Sequence, residues 1–105
     1  MKNGKYLVGF IGFGGIARMT HYPGWKKIPD VEVIAISDPS EQVRNIAKNE
    51  FGIKYVFDDY KEMLKIEEID IVDVCAPNKI HHPATIESLK AKKHVICEKN
   101  HLQQV

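Results

Sequence analysis

The sequence predicts an α/β domain in which a doubly wound parallel sheet alternates with helices along the whole chain. Three observations predict it. Short apolar runs recur with amphipathic segments between them. The runs are close to continuously hydrophobic, as strands covered on both faces must be. The first run, Tyr6–Ile11, ends on a glycine cluster that leads straight into a helix-like segment. A series of this kind builds a parallel sheet with right-handed crossovers. With 105 residues there is room for one domain and one core, and little for a separate substrate site.

The elements follow in order. Tyr6–Ile11 is the first strand. A helix starts near Gly15, and Pro23 is expected to break it around residues 20–24, with a short continuation beyond. Val31–Ser37 is the second strand. Ser40 caps the next helix, which reaches about Glu50 with Val43, Ile46 and Ala47 turned inward. Residues 54–57 make a short third strand, and Asp58 or Asp59 starts a short helix ending near Leu64. Residues 69–75 are the fourth strand, His82 or Pro83 opens a helix through Lys90, and His94–Cys97 is the fifth strand. No glycine follows that last helix. Lys92 is therefore expected at positive φ, at a cost of about 1 kcal/mol.

Composition narrows the function classes. A net charge of +1 with scattered lysines gives no reason to expect a nucleic-acid partner. No apolar run approaches the roughly 20 residues that span a bilayer, and the first six residues lack signal-peptide architecture. Cys75 and Cys97 form no C-x-x-C pair and read as reduced, small core residues of a cytoplasmic protein.

The glycine cluster has the spacing Gly12-x-Gly14-x-x-Ala17, the dinucleotide fingerprint. Gly12 permits a tight turn, and Gly14 leaves room for a pyrophosphate against the backbone. Ala17 lets the helix pack closely, and the helix start offers N–H groups and a positive dipole end. Asp38 stands just past the second strand, where this arrangement calls for an acid that hydrogen-bonds the adenosine ribose. A free carboxylate there repels a 2′-phosphate, which favours NAD over NADP. The alternative for Asp38-Pro39-Ser40 is a solvated turn. Pro77 and Asn78 leave the fourth strand near the switch point between strands one and four, and His81 lies close behind. His21, His82, His94 and His101 read as surface residues. Strand five delivers Glu98 and Lys99 to the same rim. A lysine beside a cationic nicotinamide has its pKa lowered, which suits proton transfer near neutrality. The bland alternative is an exposed ion pair. No metal site is expected.

Together these segments resemble the cofactor domain of the glucose–fructose oxidoreductase / inositol 2-dehydrogenase (Gfo/Idh/MocA) family. The resemblance runs from about Tyr6 to Lys99. It rests on Gly12-Phe13-Gly14-Gly15-Ile16-Ala17, Ser37-Asp38-Pro39, Pro77-Asn78-x-x-His81 and Lys93-His94-Val95-Ile96-Cys97-Glu98-Lys99. It implies a Rossmann sheet in the order 3-2-1-4-5, binding of NAD or NADP, and hydride transfer to or from sugars, polyols or related carbonyl compounds. It places Gly12, Phe13, Gly14, Gly15 and Ile16 at the pyrophosphate, Asp38 at the ribose, and Pro77, Asn78, His81 and Glu98 beside the nicotinamide. Lys99 matches the family's proton-exchanging lysine.

Asn100 stands where the family has proline, and the family continues into a sixth strand and a C-terminal α/β domain. A dinucleotide-binding domain over residues 1–99 with an aberrant tail over 100–105 is expected, without activity of its own. The tail back-translates to a string that, read two bases later, encodes Pro-Phe-Thr-Thr-Ser, close to the family's continuation. A frameshift is the expectation, a designed fragment with a foreign tail the alternative, and the coding DNA across codons 98–105 decides. Strand five then forms an open edge through which copies associate. The rival readings are a non-catalytic nucleotide-binding module, an inactive remnant, or a methyltransferase, whose glycine loop and acid look alike.

Overall fold

The computed structural model describes residues 1–97. Glu98, Lys99, the 100–105 segment and the side chain of Asn78 lie outside the described residues.

Among the described residues, five strands form one parallel sheet in the order β3-β2-β1-β4-β5. They are β1 (Tyr6–Ile11), β2 (Val31–Ser37), β3 (Tyr55–Phe57), β4 (Ile71–Val74) and β5 (His94–Cys97). Alternation along β1 divides the core between two faces. Leu7 and Ile11 point to one face with Ile34, Met63, Ile69, Val72, Val74 and Ala84. Val8 and Phe10 point to the other with Phe13, Ala17, Ile36, Ala47 and Ile53. Both faces are covered, which is why the central strands are mainly apolar, with Asp73 in β4 the buried exception.

The helices are α1 (Tyr22–Lys26), α2 (Glu41–Asn49), α3 (Tyr60–Met63) and α4 (Asn78–Lys90). Ser40 caps α2 as expected, its hydroxyl accepting from the Val43 N–H at 3.3 Å. Of the three inward residues, Ala47 is fully buried and Val43 and Ile46 are half-buried. Asp59 caps α3, its carboxylate accepting from the Lys61 N–H at 2.9 Å.

The fourth strand is shorter than the expected 69–75, and two helix boundaries differ from expectation, both at prolines. Pro23 does not break its helix. A π-helical turn, Ala17–His21, runs directly into α1, with the Tyr22 N–H bonded to the Ala17 carbonyl. A proline ring collides with the carbonyl four residues before it. The wider π turn takes up that collision upstream, so the chain stays helical. Pro83 does not open α4 either. The helix begins at Asn78, with the Ile80 and His81 N–H groups both bonded to the Pro77 carbonyl at 3.0 Å, and Pro83 sits inside it.

At its other end α4 closes as the missing glycine required. Lys92 has φ +64°. The Lys92 N–H bonds to the Leu89 carbonyl at 2.9 Å and the Lys93 N–H to the Ser88 carbonyl at 3.2 Å, a Schellman closure with lysine in the glycine position.

Candidate functional site

The carboxyl ends of β1, β2 and β4 converge on the glycine turn. Gly12 has φ +87°, and a Cβ placed on it would lie 2.9 Å from the carbonyl carbon and oxygen of Cys75 and 3.0 Å from the Ala76 Cα. The turn is thus pressed against the chain leaving β4. Both strands are pinned there, the Gly12 N–H to the Ser37 carbonyl and the Cys75 N–H to the Ile11 carbonyl, each at 2.8 Å. Gly14 and Gly15 are the reverse case, because a Cβ on either meets nothing within 4 Å. The turn is closed beneath and open above. Ile16 is largely exposed on this rim, and Ala17 is fully buried where the helix meets the sheet.

Phe13 faces away from the opening. Its ring is fully buried, edge-on to Phe10, Tyr22 and Phe51 with centroids 5.4, 6.1 and 5.2 Å away. Its N–H donates to Asp38 Oδ2 at 2.9 Å. Asp38 is half-buried at the tip of β2, and its Oδ1 accepts from the Ser40 N–H at 2.9 Å. Its carboxylate therefore ties the glycine turn to the start of α2. Each oxygen has one such donor and keeps acceptor capacity for another. Arg44 Nη1 donates to the Asp38 and Pro39 carbonyls, both at 2.9 Å, which fixes the turn that carries the acid.

On the β4 side, Pro77 is exposed as the residue before α4, and His81 is half-buried one turn in. His81 Nε2 and Arg18 Nε are buried without a hydrogen-bond partner among the described residues. Orphaned buried nitrogens are rare, and these two sit in the first turns of the helices that leave β1 and β4. Open space over Gly14 and Gly15, an acid at the adjacent strand tip and an orphaned imidazole nitrogen together suit a dinucleotide.

Three sequence readings need correction. His21 is not a surface residue. Its Nδ1 lies 2.8 Å from Oδ2 of Asp73, a carboxylate that is 1 % exposed. Cys75 packs against the core as expected but is only half-buried, and its Sγ lies 3.4 Å from Asp73 Oδ1. Cys97 is exposed on β5, its Sγ 3.3 Å from the Thr85 hydroxyl. Asp73 drew no attention in the sequence. An acid inside a four-residue buried strand is the signal that could have found it.

The model describing an oxidoreductase family with an NAD-binding Rossmann fold (Gfo/Idh/MocA) matches residues 6–100. The chain belongs to that family. It is 32 % identical to D-glucoside 3-dehydrogenase of Escherichia coli over 99 residues, which cover 94 % of this chain and 28 % of that protein. It is 36 % identical to myo-inositol 2-dehydrogenase of Thermotoga maritima over 92 residues, covering 88 % and 27 %. Among solved structures, scyllo-inositol dehydrogenase from Lactobacillus casei with bound NAD(H) and scyllo-inositol superposes with a TM-score of 0.82 at 27 % identity. That match covers 90 % of this chain and 28 % of the other. The chain thus spans a little over a quarter of the length of these relatives and corresponds to the NAD-binding Rossmann domain of the Gfo/Idh/MocA fold. Among the described residues no helix is long and apolar enough to cross a membrane.

Proposed function

We propose that this domain holds NAD(H) for a cytoplasmic oxidoreductase that moves hydride to or from a sugar, polyol or related carbonyl compound. The observation that carries the reading is the junction at the strand ends. A glycine turn closed against β4 and open over Gly14 and Gly15 is bonded through the Phe13 N–H to the carboxylate of Asp38. The named relatives, D-glucoside 3-dehydrogenase and the inositol dehydrogenases, support the substrate class. Cys75 and Cys97, which form no disulfide among the described residues, suit a reducing compartment.

The nicotinamide supplies the hydride chemistry when bound. The chain's own residues supply binding, orientation and a proton. The backbone at Gly12, Gly14, Gly15 and Ile16 receives the pyrophosphate at the helix start. Phe13 shapes the turn from below, through its buried ring and its bond to Asp38. The Asp38 carboxylate accepts from the ribose hydroxyls and repels a 2′-phosphate, so NAD is preferred to NADP. Pro77, Asn78, His81 and Glu98 line the nicotinamide end, and Lys99 exchanges a proton with the substrate hydroxyl or carbonyl. A substrate-holding domain is needed for turnover, because positioning contributes many kcal/mol to such chemistry. The edge of β5, the outermost strand among the described residues and with Ile96 exposed, pairs with a second copy at high concentration. A light-scattering dilution series that stays monomeric throughout rejects that pairing.

Titration calorimetry of the chain with NAD+, NADP+ and S-adenosylmethionine tests the reading. One NAD+ per chain, bound more tightly than NADP+, is expected. Silence with both dinucleotides, or binding of S-adenosylmethionine alone, overturns it.

A further inference from the structure

Beneath the glycine turn, on the face of β4 that meets α1, lies a polar cluster that the dinucleotide reading does not use. Asp73 enters from β4, Cys75 from the residue after it, His21 from the end of the π-helical turn and Trp25 from α1. Among the described residues, His21 Nδ1, an Asp73 oxygen and Cys75 Sγ form a group of three metal-ligating types gathered within 4.8 Å.

The geometry points to a zinc-type metal site at His21 Nδ1, Asp73 Oδ1 and Cys75 Sγ. The three donor atoms form a triangle with sides of 3.1 Å (Nδ1 to Oδ1), 3.4 Å (Oδ1 to Sγ) and 3.6 Å (Sγ to Nδ1). A tetrahedral Zn2+ with ordinary bond lengths to nitrogen, oxygen and sulfur needs edges of about 3.3, 3.5 and 3.6 Å between the same atom types. The donors therefore need to move by only a few tenths of an ångström to form one face of that tetrahedron.

Both oxygens of Asp73 lie within reach of His21 Nδ1, Oδ2 at 2.8 Å and Oδ1 at 3.1 Å, but it is Oδ1 that also approaches Cys75 Sγ. Oδ2 accepts from the Trp25 indole N–H at 2.9 Å, which orients the carboxylate. An N–H fixing the non-ligating oxygen is the outer-shell support that metal-binding carboxylates ordinarily have. Burial supplies the electrostatic reason. Asp73 is 1 % exposed and is held by His21, Trp25 and the Cys75 thiol; a divalent cation between Oδ1, Nδ1 and Sγ would give the buried carboxylate a full positive counter-charge. The donor set selects the ion. A thiolate beside an imidazole suits zinc and its neighbours, and is wrong for Mg2+ or Ca2+. On binding, the Cys75 thiol proton leaves to solvent, the Nδ1 proton that His21 donates to Asp73 is also given up so that the neutral ring carries its one proton on Nε2, and the fourth vertex falls to water. A metal here would tie β4 to the helix that follows the glycine turn.

The test uses the full chain, reduced and chelator-washed, titrated with Co2+ as a coloured stand-in and then with Zn2+. One Co2+ per chain is expected, with tetrahedral visible bands, a near-ultraviolet thiolate-to-cobalt absorption, and displacement by Zn2+. C75S should lose the thiolate absorption and H21Q the tetrahedral bands. W25F, which keeps the ring and removes its N–H, should weaken binding about 10- to 100-fold. C97S should bind like the parent and decides the matter if C75S does not fold. Absence of the thiolate absorption in the parent, its loss in C97S, or an unaltered spectrum in H21Q overturns the proposal. NAD+ binding is measured separately, so either reading can fail without the other.

Discussion

Substituting Gly12 by alanine separates the two jobs of the glycine turn, folding and ligand binding. Two penalties add at this position. The φ of +87° lies in the left-handed region, which costs an L-residue about 1–2 kcal/mol. The new methyl group would also lie 2.9 Å from the Cys75 carbonyl carbon and oxygen. That neighbour is backbone and cannot swing aside, since the Cys75 N–H is bonded to Ile11 and the Gly12 N–H to Ser37. Forcing extra volume into such a contact costs about 1–3 kcal/mol. The sum, about 2–5 kcal/mol, is a large fraction of the roughly 5–15 kcal/mol that holds a domain together. With a urea m-value of about 1–3 kcal/mol/M, the midpoint of G12A should fall by at least about 0.7 M. G14A is the matched control. Its methyl group enters open space, so its urea midpoint should stay near the parent's while NAD+ affinity in calorimetry drops at least tenfold. A G12A midpoint within a few tenths of a molar of the parent would refute the close-approach reasoning. A G14A chain that binds NAD+ normally would refute the placement of the pyrophosphate.

Other substitutions probe features around the turn. D38N keeps the side-chain shape but loses the charge that receives two backbone N–H groups and repels a 2′-phosphate. NAD+ affinity should fall about tenfold and the NAD+/NADP+ ratio should narrow in the same calorimetry, consistent with charge-assisted bonds worth about 1.5–3 kcal/mol. K92G relieves the φ of +64° at the end of α4 and should raise stability by about 1 kcal/mol, read as a higher urea midpoint. Burial pushes the Asp70 carboxyl up. The Met1 ammonium, the Leu7 N–H and Lys93 together outweigh burial and hold the carboxyl below the usual carboxylate range. A carboxyl depressed in this way contributes stability above the unfolded-state value of about 3.9, and that stability is lost as pH falls through the folded value. D70N should therefore be less stable than the parent at neutral pH, and the gap should close under acid in urea melts run from pH 6 to pH 3.

The strand pattern was legible because burial on both faces writes itself as largely apolar runs. All five strands follow from it, and the order of the sheet came from the resemblance to the Gfo/Idh/MocA family. Helix boundaries at Pro23 and Pro83 were not. A proline declares only that one N–H is missing, and whether the helix ends, widens or continues depends on tertiary packing. Lys92 was readable in advance because the Schellman closure demands a left-handed residue whatever its side chain. The placements of Gly12 and Asp38 were legible since their spacing follows from the strand–turn–helix geometry. The engagement of Phe13 with Asp38 was not, because a backbone N–H leaves no mark in sequence. His21, Trp25 and Asp73 were missed for a similar reason. They are 48 and 52 positions apart in pairs and meet only through the crossover that brings α1 over β4.

The single tryptophan of the chain is also the residue whose indole nitrogen holds Asp73. Its emission therefore originates beside a carboxylate, an imidazole and a thiol, on the segment that begins at the glycine turn. A change in quantum yield or wavelength would report displacement of that one segment, with no label attached and no competing chromophore of its kind elsewhere. Stopped-flow fluorescence thus gives the domain an intrinsic clock for events at its strand ends.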